Sequence, residues 1–440
     1  MKKYFFIFAF LALLLLLITP VDSIADKYDP LLRVLIKKGI ITKEEAKQIQ
    51  KEAKELEEKE KIEIIKKAKA DDNMPKALKG LKFRMLTYFD YSIGEHAASH
   101  GKQKSYNEFA IKRGYFRVDK KINSWLAAHL TYDIHQDDEG DWKTRLKYLY
   151  AQIKPKDLGF LTHMKAEIGL GHIPWLDFEE HVNPYRCQGT MAIERAGTFN
   201  SADLGLSIRG YFGEELEDAA TKTGNHHYAG RYGSWHIGVF NGSGYHSKED
   251  NNNKVIEGRF TLRPLPDLLP GLQFSYFGLY GEGNKKVNGE YPDYQVHLGF
   301  LSYEHPRLIL TGQYFTTQGN KDGKWVDSKG DALWTEGYSL FLNMKPPVYT
   351  ISSWLDGRFN LFFRYDHIDR DKDAKIADDA TYDLYIGGVA IEVIHGNYIL
   401  VDYEHTDFGD DFGNKHKDAP EVDNKPGDEH KLQFVYQLKF

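Results

Sequence analysis

From Leu81 to the last residue, apolar and aromatic side chains recur at every second position in stretches of about ten, separated by clusters of Gly, Asn, Asp and Lys. A period of two belongs to β-strands with one polar and one apolar face. The first stretches are Leu81 to Ser92, Glu108 to Lys120, Trp125 to His135, Thr144 to Lys154 and His163 to Ile173. Ala202 to Phe212, Gly233 to Asn241, Lys254 to Arg263, Leu272 to Tyr280, Tyr294 to Tyr303 and Arg307 to Thr317 follow. Trp334 to Met344, Arg358 to Ile368, Tyr382 to Ile394, Tyr398 to Thr406 and His430 to Phe440 bring the count to about sixteen.

An even set of antiparallel strands can close into a membrane barrel with short turns at one end and longer loops at the other. The connections largely alternate in that way. Ile93–Asn107, Pro174–Ser201, Gly242–Asn253, Gln318–Leu333, Asp369–Thr381 and Asp407–Glu429 are long, whereas Lys121–Ser124, His305–Pro306 and His395–Asn397 are short. Residues 213–232 and 345–357 fall where turns belong yet are long; each is either an insertion or a missed hairpin. The last strand is the sharpest signal. Leu432, Phe434, Tyr436, Leu438 and Phe440 alternate with Lys431, Gln433, Gln437 and Lys439, and the chain ends on the aromatic. An open edge of this kind invites pairing with other chains, and closure against the first strand removes it. The expected fold is all-β: a transmembrane antiparallel β-barrel of about sixteen strands over residues 76–440.

Before the strands the pattern differs. Lys2 and Lys3, an apolar run from Tyr4 to Ile18 and Ser23-Ile24-Ala25 read as a cleaved secretory signal peptide, residues 1–25. Residues 26–75 read as a short helical segment. Leu31, Leu32, Leu35 and Ile36 form a stripe, and Thr42-Lys43-Glu44-Glu45 forms a capping box. Ala46, Ile49, Ala53 and Leu56 suggest a coiled-coil seam. The segment is either an oligomerising or cell-wall-contacting element of the periplasm, through residues 29–70, or a solvated linker helix.

Composition sharpens this picture. The 440 residues are 41% hydrophobic and 14% aromatic, yet mean hydropathy is −0.54. So many aromatics exclude a disordered chain, and one Cys excludes a disulfide scaffold. Outside the N-terminus no apolar run is long enough for a transmembrane helix. A net charge of −6 gives no reason to expect nucleic acid as a partner. A barrel reconciles the two averages, because each strand turns alternate residues to lipid and to water.

Charges should then face the lumen. Arg113, Arg117, Arg145, Lys147, Lys165, Arg209, Arg259 and Arg364 are candidate pore-lining, anion-contacting cations. Such groups raise the local anion concentration. The competing reading is that they brace the wall by pairing with Asp119, Asp133, Glu167, Glu257 and Asp366. No metal motif, cofactor motif or catalytic nucleophile motif such as G-x-S-x-G stands out, so neither a metal, a cofactor nor catalysis is expected.

Gly238-Val239-Phe240-Asn241-Gly242-Ser243-Gly244, Asn251-Asn252-Asn253-Lys254 and Gly258-Arg259 resemble the phosphate-selective porin O and P family. Gly169 to Pro174, Asp203-Leu204-Gly205, Phe363-Arg364-Tyr365-Asp366 and Gly388 to Tyr403 add to the resemblance, which covers about residues 80–440. It implies a sixteen-stranded trimeric porin with a basic lumen, placed in the outer membrane of a Gram-negative-type bacterium. Its partners would be lipid, small solutes and inorganic anions. Phosphate selectivity carries over poorly, because acids interrupt any Arg/Lys ladder. The connection after the fifth strand takes the place of the third outer loop, which narrows the channel in general porins. Trp175, Asp177, Glu179, Glu180, Arg186 and Arg195 suit such a constriction, although an ordinary solvated loop is the competing reading. The functional expectation is passive diffusion of small hydrophilic solutes and ions, with anions preferred. The alternatives are an outer-membrane barrel enzyme, lipase- or protease-like, and a structural barrel gripping the cell wall.

Overall fold

The computed structural model describes residues 78–440 except 99–101, 138 and 414–418, together with Lys38, Thr42, Glu45, Gln48 and Ile49. The chain divides into two units, Met1–Lys79 and Gly80–Phe440. In the first, the Thr42 amide donates to Glu45 Oε2 at 2.7 Å and the Glu45 amide to Thr42 Oγ1 at 3.2 Å, the reciprocal bonds of a capping box. The signal peptide, the stripe at 31–36 and all of the coiled-coil seam but Ile49 lie outside the described residues.

The second unit opens with β1 (Leu81–Ala98), β2 (Lys102–Lys121), β3 (Leu126–Gln136), β4 (Trp142–Ile153) and β5 (Leu161–His172). β6 (Ala202–Phe212), β7 (Gly233–Phe240), β8 (Val255–Leu262), β9 (Leu272–Glu282) and β10 (Asp293–His305) continue it. β11 (Leu308–Gln318), β12 (Trp334–Met344), β13 (Phe359–Asp369), β14 (Thr381–Ile394), β15 (Asn397–Phe408) and β16 (Glu429–Lys439) complete it. Short helices sit in two connections: α1 (Leu176–Val182) and α2 (Ala192–Arg195) after β5, and α3 (Ala219–Thr223) after β6. Every strand pairs antiparallel with its chain neighbours, and β1 pairs with β16, so the sheet is a closed sixteen-stranded barrel.

The expected terminal strand performs the closure. Phe89 lies opposite Tyr436 and Tyr91 opposite Phe434, with ring centroids 6.4 and 6.1 Å apart. The Phe440 amide donates to the Met85 carbonyl at 3.2 Å, and the Met85 amide donates to the Phe440 carbonyl at 3.1 Å. No edge remains to be covered. Exposed aromatic and aliphatic side chains, among them Phe116, Leu206, Val239, Phe260, Leu310, Leu340 and Phe363, form the outer surface. On a barrel of this kind that surface faces lipid.

Two expectations need revision and one open alternative is settled. Residues 93–107 are not mainly a loop, because β1 and β2 continue through most of them. The long connections at 213–232 and 345–357 are insertions that add no strand to the barrel, the first of them closed by an isolated antiparallel bridge between Glu215 and Gly230. The lumen, moreover, is not polar all round. Phe277, Val296, Leu298, Phe300, Phe315, Phe341, Phe362, Leu384 and Ile386 point inward from β9 to β14 and are buried. This apolar inner wall requires a cover, and the connection between β5 and β6 supplies it.

Candidate functional site: a segment folded into the lumen

Residues 173–201 leave β5 and return to β6 across the inside of the barrel. The Ile173 amide meets the Ser201 carbonyl at 3.4 Å, so the segment begins and ends at one place. Its first turn packs Trp175 against Phe277 and Phe300, at centroid distances of 5.9 and 5.4 Å. Further on, Tyr185 packs 4.8 Å from Phe362, and its hydroxyl donates to Asn343 at 3.2 Å. Polar clamps complete the course. Arg259 Nε donates to the Pro174 carbonyl at 3.1 Å, Gln313 to Glu179 at 3.0 Å, and Arg364 to the Thr190 carbonyl at 2.7 Å. Gln433 and Lys112 both donate to the Gln188 carbonyl at 2.9 Å. Apolar burial and backbone carbonyls met by buried donors therefore fix the path.

The six loop residues divide by which way they face. Trp175 and Glu179 are buried against the wall, where Trp175 Nε1 donates to Glu179 at 2.7 Å. Burial lifts the Glu179 carboxyl to about 7. Asp177, Glu180, Arg186 and Arg195 are partly exposed toward the lumen. Burial would raise Asp177, but His172, His181 and Arg209 hold it well below the usual carboxylate range. Arg186 bridges Glu180 at 2.8 Å and Glu194 at 3.2 Å, and Arg195 reaches Glu404 at 3.3 Å. Burial pushes the Cys187 thiol up to about 12, which keeps it unreactive.

The eight predicted cations also divide. Arg117 pairs with Asp119 at 2.8 Å, Arg145 with Asp133 at 2.7 Å, Arg209 with Glu167 at 2.8 Å and Arg364 with Asp366 at 2.5 Å. Arg259 is fully buried and holds Ser234, Thr261 and the Pro174 carbonyl, with Phe178 under its guanidinium at 4.3 Å. Arg364 and Arg259 thus anchor the inserted segment and do not line an open path. Glu257 pairs with no cation among the described residues.

Arg113 and Lys147 differ from these. Neither makes an ion pair with a carboxylate among the described residues. Arg113 lies over Tyr88 at 5.3 Å and Tyr115 at 4.5 Å; Lys147 lies 4.6 Å from the Tyr115 ring and 5.3 Å from that of Tyr245. These tyrosine faces supply a cation–π environment without neutralising the charge.

Period-two reasoning missed Lys112, which it places on the lipid side. The register between β1 and β2 shifts there: Tyr88 faces Arg113 but Phe89 faces Ile111. The extra residue is a β-bulge, and it turns Lys112 and Arg113 both inward. A second shift, between β3 and β4, does the same for Lys147 and Tyr148. One hint was in the sequence: Ile111 and Phe116, five apart, cannot share a face in an unbroken strand.

No protein-family model matches the sequence, and no curated protein matches it. The likeness of residues 80–440 to phosphate-selective porins therefore rests on the short motifs. Solved structures do match in fold. OmpF of Salmonella typhi, in complex with daunomycin, is 11% identical with a TM-score of 0.52, over 81% of this chain and 97% of that one. OprB of Pseudomonas putida is 11% identical with a TM-score of 0.50, over 82% and 94%. The barrel architecture is thus one shared with these proteins. At these identities the likeness concerns the fold.

Proposed function

We propose that the chain is an outer-membrane porin, a passive channel for small hydrophilic solutes and ions. The observation that carries this reading is the inward segment inside a closed barrel of apolar exterior, with Glu180, Arg186 and Glu194 partly exposed on it. A barrel of this size leaves room beside such a segment for an aqueous path. The reading includes the homotrimer that the resemblance implies. It involves no catalysis, since the sequence holds no G-x-S-x-G nucleophile motif for the histidines a hydrolytic alternative would need.

A mild preference for anions follows from the balance of charges. Arg113, Lys147 and Arg186 carry three positive charges against the two negative charges of Glu180 and Glu194, and only Arg186 is in direct ion pairs with them, so the cluster keeps one net positive charge. Phosphate selectivity, by contrast, would call for a run of unpaired cations along the channel. Four of the eight predicted here are paired with carboxylates. The test is the reversal potential across a planar bilayer under a potassium chloride gradient. The double variant Arg113→Gln/Lys147→Gln should move it toward cation preference, and Arg117→Gln, which leaves Asp119 held by Arg84 and His129, should move it less than Arg113→Gln. An unchanged potential in the double variant would remove these two residues from the ion path.

A further inference from the structure

The 213–232 connection does not lie flat across the turn end of the barrel. The Asn225 side chain donates to the His181 carbonyl at 2.9 Å and to Glu304 at 2.7 Å, and the Tyr228 hydroxyl donates to Asp177. It therefore meets the inserted segment at α1, and a cavity of about 270 Å³ opens between them and the β5–β6 wall. None of its lining residues belongs to the Arg113–Lys147 cluster.

Two cations and two carboxylates surround this cavity, but they are not paired one to one. Arg209 is committed to Glu167 at 2.8 Å and to Asp177 at 3.0 Å. Lys165 contributes an ammonium with no ion-pair partner among the described residues. The remaining polar wall is imidazole: the His227 ring lies tilted 3.8 Å from that of His181 and 4.0 Å from that of His226. Burial and those two neighbours hold His227 at about 3, so its ring is neutral. Tyr211, Tyr228 and Trp235 supply flat apolar surface. The cavity is slightly smaller than the usual range for ligand pockets, which suits a small solute.

We propose that this cavity binds small monocarboxylates with a flat, ring-shaped body, the carboxylate on Lys165 and the ring between the tyrosine and histidine faces. One ammonium without a direct ion-pair partner matches one carboxylate. A dianion would bring its second charge against Asp177 and Glu167, and a neutral ring would leave Lys165 without a counter-ion. The proposal adds a solute class to the porin reading and rests on it for physiological meaning, but its test does not depend on conductance. Titration calorimetry of the detergent-folded full chain with benzoate should show saturable binding, with inorganic phosphate and benzyl alcohol binding more weakly. Lys165→Gln should weaken benzoate about tenfold, as loss of a charge-assisted contact implies, and Lys165→Arg should largely restore it. Circular dichroism checks that both variants fold. Absent binding, equal binding of the three probes, or an unaffected Lys165→Gln variant would overturn the proposal. A chain that conducts but binds no benzoate contradicts this inference alone; one that binds benzoate but conducts nothing contradicts the porin reading alone.

Discussion

Arg364→Ala should lower the unfolding free energy of the barrel by about 3–5 kcal/mol, the usual cost of removing one member of a buried ion pair. Arg364 and Asp366 are 2% and 0% exposed, and the guanidinium also holds the Thr190 carbonyl at 2.7 Å. Truncation leaves a carboxylate without its counter-ion and a backbone carbonyl of the inserted segment without a donor. Denaturant titration of the detergent-folded protein reads the loss. The double variant Arg364→Met/Asp366→Leu should recover a good part of it, since apolar replacement of a whole buried pair is often close to neutral. If the single variant were as stable as the parent, the pair would be solvated and Arg364 would belong to an open lumen instead.

Replacing residues 175–199 by a short glycine linker should raise single-channel conductance severalfold. The closure is geometrically simple, because His172 and Ala202 are already paired and the ends of the segment meet at Ile173 and Ser201. The change has a cost. Phe277, Phe300, Phe341 and Phe362 would lose their cover, and burial of such a side chain contributes about 1.5–3 kcal/mol. The shortened barrel should therefore conduct more and unfold more readily. Unchanged conductance would show that the segment does not set the narrowest part of the path.

Much of the barrel was legible in the residues because lipid enforces the alternation. Wherever a strand has lipid on one side and water on the other, the period of two appears, as in Leu432 to Phe440. It fails where that contrast fails. Past Ile93 the polar continuation of β1 resembles a loop, although pairing continues to Ala98 opposite Lys102. On β10 the inner positions Val296, Leu298 and Phe300 are the apolar ones, while His297 faces outward and shares a 2.7 Å hydrogen bond with the Tyr276 hydroxyl. That inversion exists because the inserted segment makes half of the interior a packed core, a partnership between residues more than a hundred positions apart. The pairing of Arg117, Arg145, Arg209 and Arg364 with nearby acids could be anticipated from spacing along and across neighbouring strands. The roles of Arg259 and Lys112 could not, since both hold carbonyls of a distant loop.

The central claim is that a conducting path runs beside the inserted segment. Single-channel recording in planar bilayers tests it most directly. Purified, folded protein should produce discrete, ohmic conductance steps, grouped in threes for a trimer, and Arg113→Gln/Lys147→Gln should leave them present while shifting their ion preference. Folded protein that inserts into the bilayer and yields no steps would contradict the account.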